Sequence, residues 1–264
     1  MERPILNPVG VVISSVADIN EMPLGGKTAQ IEIFPEYSDA LLRIETNSHL
    51  WILSWFHKAN REILQASPRR INPELPNYGV FSLRAFNRPN PIGLSLVELD
   101  RVEGNILHVR GLDAISGTPV LDIKPYFEND IIFSPRTPYM KGKNLEMRRN
   151  LLYRQAYRHH QEDCIDLHIA VRMALIAEEH FGKIHEPDLL ITVLGSLCLG
   201  DCLQGVSRAR LANPPRFSFK ESDVLVSVWR KNAKELKLTL KEYIVDKDVI
   251  KEKKDTELFE IVFK

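Results

Sequence analysis

The sequence is poor in cysteine. Three stand among 264 residues, Cys164, Cys198 and Cys202, all in the C-terminal half. An odd and low number argues against a disulfide framework. An excess of either charge is also missing: 35 basic residues face 35 acidic ones, 17 of each over residues 1–150 and 18 of each over 151–264. Neither half is therefore a general polyanion binder. No apolar run reaches the roughly 18 residues that a membrane span requires. The N-terminal Met1-Glu2-Arg3-Pro4 lacks the basic-then-apolar layout of a secretion signal. The expected location is the cytoplasm, with no membrane partner. There is no internal repeat.

What is present is an apolar fraction of 44%, ordinary for a globular chain long enough for one large domain or two small ones. Charge is locally uneven. Lys58, Arg61, Arg69, Arg70, Arg84 and Arg88 face only Glu62 and Glu74 over residues 58–88, and a second basic run lies between Arg136 and Arg149. Such runs suit a phosphate backbone or, equally, a solvated mixed-charge loop.

Patterning predicts a mainly β first half. Strands are expected over Val9–Ser15, Ala29–Phe34, Leu50–Phe56, Gly79–Leu83, Leu94–Glu103, Ile106–Leu112 and Val120–Pro125. Tyr37–Leu42 reads as helical, and Pro68, Pro73 and Pro76 make residues 67–78 a loop. Short strands at close spacing with tight turns predict a small antiparallel β-barrel or sandwich. Residues 128–149 read as a basic linker. Beyond them the texture is α+β: helices over Asp166–Phe181 and Asp201–Arg210, strands over Leu189–Leu194, Val224–Trp229, Leu236–Tyr243 and Leu258–Phe263, and a lysine-rich turn or mobile loop over Lys247–Lys254. The expected class is α+β, mainly β, with a barrel over 1–127, the linker over 128–149 and a smaller α+β domain over 150–264.

The most informative segment is Gly79-Val-Phe-Ser-Leu-Arg84-Ala-Phe-Asn-Arg88-Pro-Asn-Pro-Ile-Gly93-Leu94. Pro89 and Pro91 fix their own φ, Asn90 is pushed to extended geometry, and Gly93 permits a close backbone approach. Such a stiff loop holds the guanidiniums of Arg84 and Arg88 in set directions, which suits a carboxylate or phosphate. A second segment, Arg110-Gly111-Leu112-Asp113-Ala114 followed by Gly117 through Tyr126, puts a strand end, a glycine turn and the acids Asp113 and Asp122 within a dozen positions.

Together with Ser48-His49-Leu50-Trp51-Ile52-Leu53 and Phe56-His57, these strings closely resemble the TsaA/TrmO family of tRNA methyltransferases over about residues 5–127. The resemblance implies a β-barrel that binds S-adenosylmethionine (SAM), methylates N6 of threonylcarbamoyladenosine at position 37 of tRNA, beside the anticodon, and acts as a homodimer. It places SAM against His57, Lys58, Arg84, Leu94, Arg110, Gly111, Leu112 and Asp113, and the rigid loop adds Arg88. Asp113, Asp122 and His57 are the candidates for the base. Two strings depart from the family pattern. An Arg-Ser-Pro reads Ile13-Ser14-Ser15 here, and a Pro-Arg-Gln of the SAM site reads Pro23-Leu24-Gly25.

In the second half the metal-capable residues are His159, His160, Cys164, Cys198 and Cys202. Buried packing of the cysteines is the plain alternative. His160 through Cys164, followed by the Ala170–Phe181 helix and then Cys198, Asp201 and Gln204, weakly resembles the E-subunit family of formylmethanofuran dehydrogenase. That likeness implies zinc on His160, Cys164 and Cys198. Two further readings stay open: a SAM-dependent methyltransferase acting on a metallocofactor, protein or small metabolite, and a non-catalytic SAM- or metal-binding module.

Overall fold

Alternation of apolar and polar residues builds the first half of the chain. In the computed structural model, which describes residues 5–264, β1 (Gly10–Ile13), β2 (Lys27–Ile33) and β3 (His49–Trp55) are followed by a two-residue ladder of β4 (Gln65–Ala66) with β5 (Tyr78–Gly79). Then come β6 (Ile92–Glu103), β7 (Ile106–Leu112) and β8 (Pro119–Pro125). β3 shows the physical rule plainly: Leu50, Ile52 and Ser54 are buried while their neighbours are half-exposed. Six strands close into an antiparallel barrel in the order β1-β2-β7-β6-β3-β8. The inward residues fill it, among them Val12, Ile31, Leu50, Ile52, Leu107 and Val120. Bulges between Lys27 and Ala29, Leu53 and Ser54, and Leu99 and Arg101 supply the curvature.

Two local expectations are corrected. Gly79–Leu83 is not a strand. Only Tyr78–Gly79 pairs, and Val80–Ser82 is a 3-10 turn. Its carbonyls are drawn inward by Arg88, whose guanidinium donates to Val80 O (2.6 Å) and Leu83 O (3.2 Å). The helical stretch near Tyr37 is also 3-10, over Pro35–Leu41.

The chain forms two units. The first holds the residues up to Pro68 and Glu74–Ile131, and the second holds Arg69–Pro73 and Ile132–Lys264. The second unit is discontinuous, with Lys143 N–H donating to Ile71 O (2.9 Å). It is not the smaller of the two.

The second unit starts with α1 (Leu145–His160), whose first residues fall in the stretch expected to be a linker. Asn144 caps it, accepting from Met147 N–H at 2.8 Å. α2 (Ile165–Phe181) is buried on nearly all sides over residues 166–178, which matches its mostly apolar and small composition there, and the buried Asp166, His168, Arg172 and Glu178 are paired or hydrogen-bonded. β9 (Leu190–Gly195), α3 (Leu197–Ser207), β10 (Phe217–Glu221), β11 (Val226–Lys231) and β12 (Lys234–Leu240) follow. β13 (Phe259–Phe263) completes a mixed sheet in the order β10-β9-β11-β12-β13, with β9 and β10 parallel across α3.

The lysine-rich stretch is not a loop. It folds as α4 (Lys247–Glu252), followed by the short α5 (Asp255–Leu258). Asp246 caps α4, Ile250 is buried, and the buried Arg172 guanidinium donates to the carbonyls of Ile250 and Lys253 and pairs with Asp255. Among the described residues no helix is long and apolar enough to cross a membrane.

Candidate functional site

Strand direction decides which residues meet. β3 and β7 end, and β2 and β6 begin, at one end of the barrel. At that end His57 and Lys58 are the exposed central residues of a turn closed by Ala59 N–H to Phe56 O (3.0 Å), just past β3. Leu94, 46% exposed, is near the start of β6 and opposite Leu53. Gly111 and Leu112 close β7, and Asp113 follows with its N–H on Ser95 Oγ (3.3 Å). The loop carrying Arg84 is tied to the His57 turn by Asn60 N–H to Asn87 Oδ1 (2.8 Å) and by Arg61 Nε to Pro89 O (2.9 Å). Arg61 also stacks over Trp55.

Two glycines make these approaches possible. A Cβ on Gly93 would lie 2.5 Å from both Phe56 and Ser54 Oγ. Gly26, at φ +75°, would put one 2.4 Å from the Leu112 carbonyl carbon. The Pro23-Leu24-Gly25 string that departs from the resembling family thus leads into direct packing on Gly111 and Leu112. Gly26 is a site residue the sequence did not single out. Its signal was the Gly25-Gly26 pair before a strand.

Not every expected side chain is available. Arg110 points outward and pairs with Glu98 and Asp100, both at 2.5 Å; these partners hold its guanidinium protonated and lower the Glu98 carboxyl. Leu112 is fully buried in the barrel core, so its side chain is not open to a ligand. Arg88 is spent on the 3-10 turn. Asp122 stands midway along β8, opposite the Leu53 that also faces Leu94 of β6. It pairs with Lys124 at 2.7 Å and borders a cavity of about 270 Å³ with Tyr37, Arg43, Asn47 and Leu50. Arg43 there is a non-glycine residue at φ 65°, a conformation that sequence does not advertise.

In the second unit a different chemistry assembles. His160 Nδ1 is 2.8 Å from Asp201 Oδ2, and His160 Nε2 is 3.3 Å from Cys164 Sγ. His159 reaches the other Asp201 oxygen at 3.0 Å. The ligand atoms of His160, Cys164 and Cys202 lie within 4.8 Å of one another. Cys202, and not the expected Cys198, completes this group. The reason is where α3 begins: Ser196 caps it and Leu197 opens it, so the two cysteines lie one turn apart on one face, Cys202 buried and Cys198 at the rim. Burial pushes both thiols up. Beside them, Asp163 is lowered to about 2, chiefly by Lys247 and, against a burial cost, by His168 and Tyr153.

A closed antiparallel barrel followed by an α+β unit defines a two-part chain outside the doubly wound class. More particularly, the chain belongs to the tRNA-methyltransferase O N-terminal domain family, whose model matches residues 12–130. It is similar to a probable S-adenosyl-L-methionine-binding protein of Methanothermobacter thermautotrophicus, 48% identical over 47% of this chain and 90% of that protein. A probable S-adenosyl-L-methionine-binding protein of Archaeoglobus fulgidus is 36% identical over 79% of this chain, which spans 59% of that relative's length. The human tRNA (adenine(37)-N6)-methyltransferase is 49% identical over 35% of this chain and 20% of its own. A crystal structure of TrmO from Pseudomonas aeruginosa aligns over 91% of this chain and 94% of its own, with a TM-score of 0.45 and 21% identity.

Proposed function

We propose that this protein is a SAM-dependent methyltransferase that modifies N6 of threonylcarbamoyladenosine 37 in the anticodon stem-loop of tRNA. The observation that carries the reading is the convergence of His57, Lys58, Arg84, Leu94 and Gly111–Asp113 on one barrel end. SAM supplies an electrophilic methyl group on a sulfonium. In this reading Arg84 and Lys58 hold its carboxylate and Asp113 its ribose diol, while the backbone at Gly111 and Leu112 and the exposed Leu94 receive the adenine. Methyl transfer is an in-line displacement, so alignment is most of what the protein must supply. The acceptor nitrogen is next to a carbonyl and therefore acidic for an adenine amine, so one weak base suffices. His57, Asp113 and Asp122 are the candidates for that task.

The protein acts as a homodimer in the cytoplasm, where its tRNA substrate resides, and its second unit carries zinc at the imidazole–thiol cluster of His160 and Cys164. The test is calorimetric titration of SAM, followed by methyl transfer to unmodified and threonylcarbamoyl-modified tRNA. Binding with methylation of only the modified tRNA supports the reading. SAM binding with no tRNA product moves the acceptor to another class, and absence of SAM binding overturns the enzyme assignment.

A further inference from the structure

The donor set in the second unit fits a metal on its own chemistry. α1 ends at His160, and Gln161 in the left-handed region (φ 62°) turns the chain so that Cys164 is the residue just before α2. Asp201 on α3 takes the Nδ1 side of His160 at 2.8 Å. An imidazole whose Nδ1–H is given to a carboxylate keeps its Nε2 lone pair free, and here Nε2 faces the Cys164 sulfur at 3.3 Å. Proteins orient metal-ligating histidines in this way. With bonds of about 2.3 Å to sulfur and about 2.0 Å to nitrogen, a tetrahedral ion needs donors somewhat closer than the 4.8 Å limit within which His160, Cys164 and Cys202 lie. Small rotamer adjustments meet that need.

The surroundings say what kind of centre it is. Structural zinc sites use four protein ligands and are sealed, whereas catalytic sites use three and leave a position open. Here three donors converge. Cys202 is fully buried, but Cys164 and Cys198 are only half-buried. The rim is polar: Tyr243 Oη donates to Asp166 at 3.2 Å, and Ser196 Oγ donates to the other Asp166 oxygen. The N-termini of α2 and α3 both open onto this rim, at Cys164 and Ser196, and their backbone N–H groups favour negative charge.

We infer that the second unit holds an open metal centre, with His160, Cys164 and Cys202 as the protein ligands, Asp201 as the positioning residue behind His160, and a fourth position that takes a small exchangeable anion, a thiolate in particular. This rests on zinc being bound there, as proposed above. Cys198 stands beside the open position and is not a required ligand.

The test uses the full chain stripped of metal and titrated separately with zinc and cobalt. One ion per chain is expected, with cobalt giving the absorption of a tetrahedral site and the charge-transfer intensity of two thiolates. Cys164→Ser and Cys202→Ser should each abolish tight binding. Asp201→Asn should weaken it by roughly 10–100-fold while leaving the cobalt spectrum tetrahedral. Cys198→Ser should retain one ion and the two-thiolate intensity. Adding 2-mercaptoethanol to the cobalt protein should raise a saturable third-thiolate band. A chain with the circular dichroism of the folded protein that takes up neither zinc nor cobalt overturns the zinc reading itself. A metallated chain that shows three-thiolate intensity, ignores added thiol and loses its ion on Cys198→Ser overturns the open position alone.

Discussion

Two arginines four residues apart do different work. Arg88 donates to two carbonyls of its own loop, whereas Arg84 is exposed at the barrel end. Arg84→Ala should therefore weaken SAM binding by about tenfold or more, the worth of a charge-assisted hydrogen bond at roughly 1.5–3 kcal/mol, with no change in melting temperature. Arg88→Ala should lower affinity and melting temperature together, because it releases the turn that positions Arg84. Calorimetry and thermal melts on both variants separate the two roles, and an unchanged affinity in Arg84→Ala would remove it from the donor site. Acid sensitivity is also set at this scale. The Asp163 carboxyl, lowered to about 2 mainly by Lys247, has a folded value below its unfolded one of about 3.9. Its contribution is present above pH ~4 and lost as pH falls towards 2. Asp163→Asn should flatten the acid-unfolding curve in that window. The side chain is nearly half-exposed, so the effect should be modest.

Elements differ in how openly their sequence declares them. The barrel strands were legible because one face is more deeply buried than the other, and β3 carries that alternation residue by residue. α1 was not, because Arg148, Leu152 and Ala156 are its only buried residues and much of the rest is arginine, tyrosine and histidine. α4 hid behind its lysines, since what orders it is the distant Arg172. The histidine–thiol cluster was half legible. Its histidine and first cysteine stand four residues apart, but choosing Cys202 over Cys198 required knowing where α3 begins. Two predictions belong here. Gly93→Ala should displace Phe56 and with it the His57–Lys58 turn, weakening SAM binding more than stability. Arg148 clips α1 to α2 through Glu178 at 3.0 Å and through Glu179, with Arg148 and Glu178 both buried. Arg148→Met should cost about 3–5 kcal/mol in urea unfolding, because it strands Glu178, a carboxyl that burial already pushes up.

At the scale of the whole molecule, the chain is neutral, so binding of the proposed tRNA substrate rests on local charge alone. Affinity for tRNA should fall linearly in log–log with salt, and Lys58→Gln should reduce the slope by about one if it meets a phosphate. An unchanged slope would place Lys58 on SAM only. Another feature of this scale was invisible in the sequence, where residues 67–78 read as an ordinary proline loop: Arg69–Pro73 belongs to the second unit. Synthesis runs from the N-terminus, so this short piece leaves the ribosome well before Ile132–Lys264, the rest of its unit. The backbone bond from Lys143 to Ile71 cannot form until the barrel's last strand has already been made. No single cut of the polypeptide can separate the two units intact. A protease that nicks the chain after Ile131 would leave the second unit without its first five residues, even though every residue of the barrel would survive.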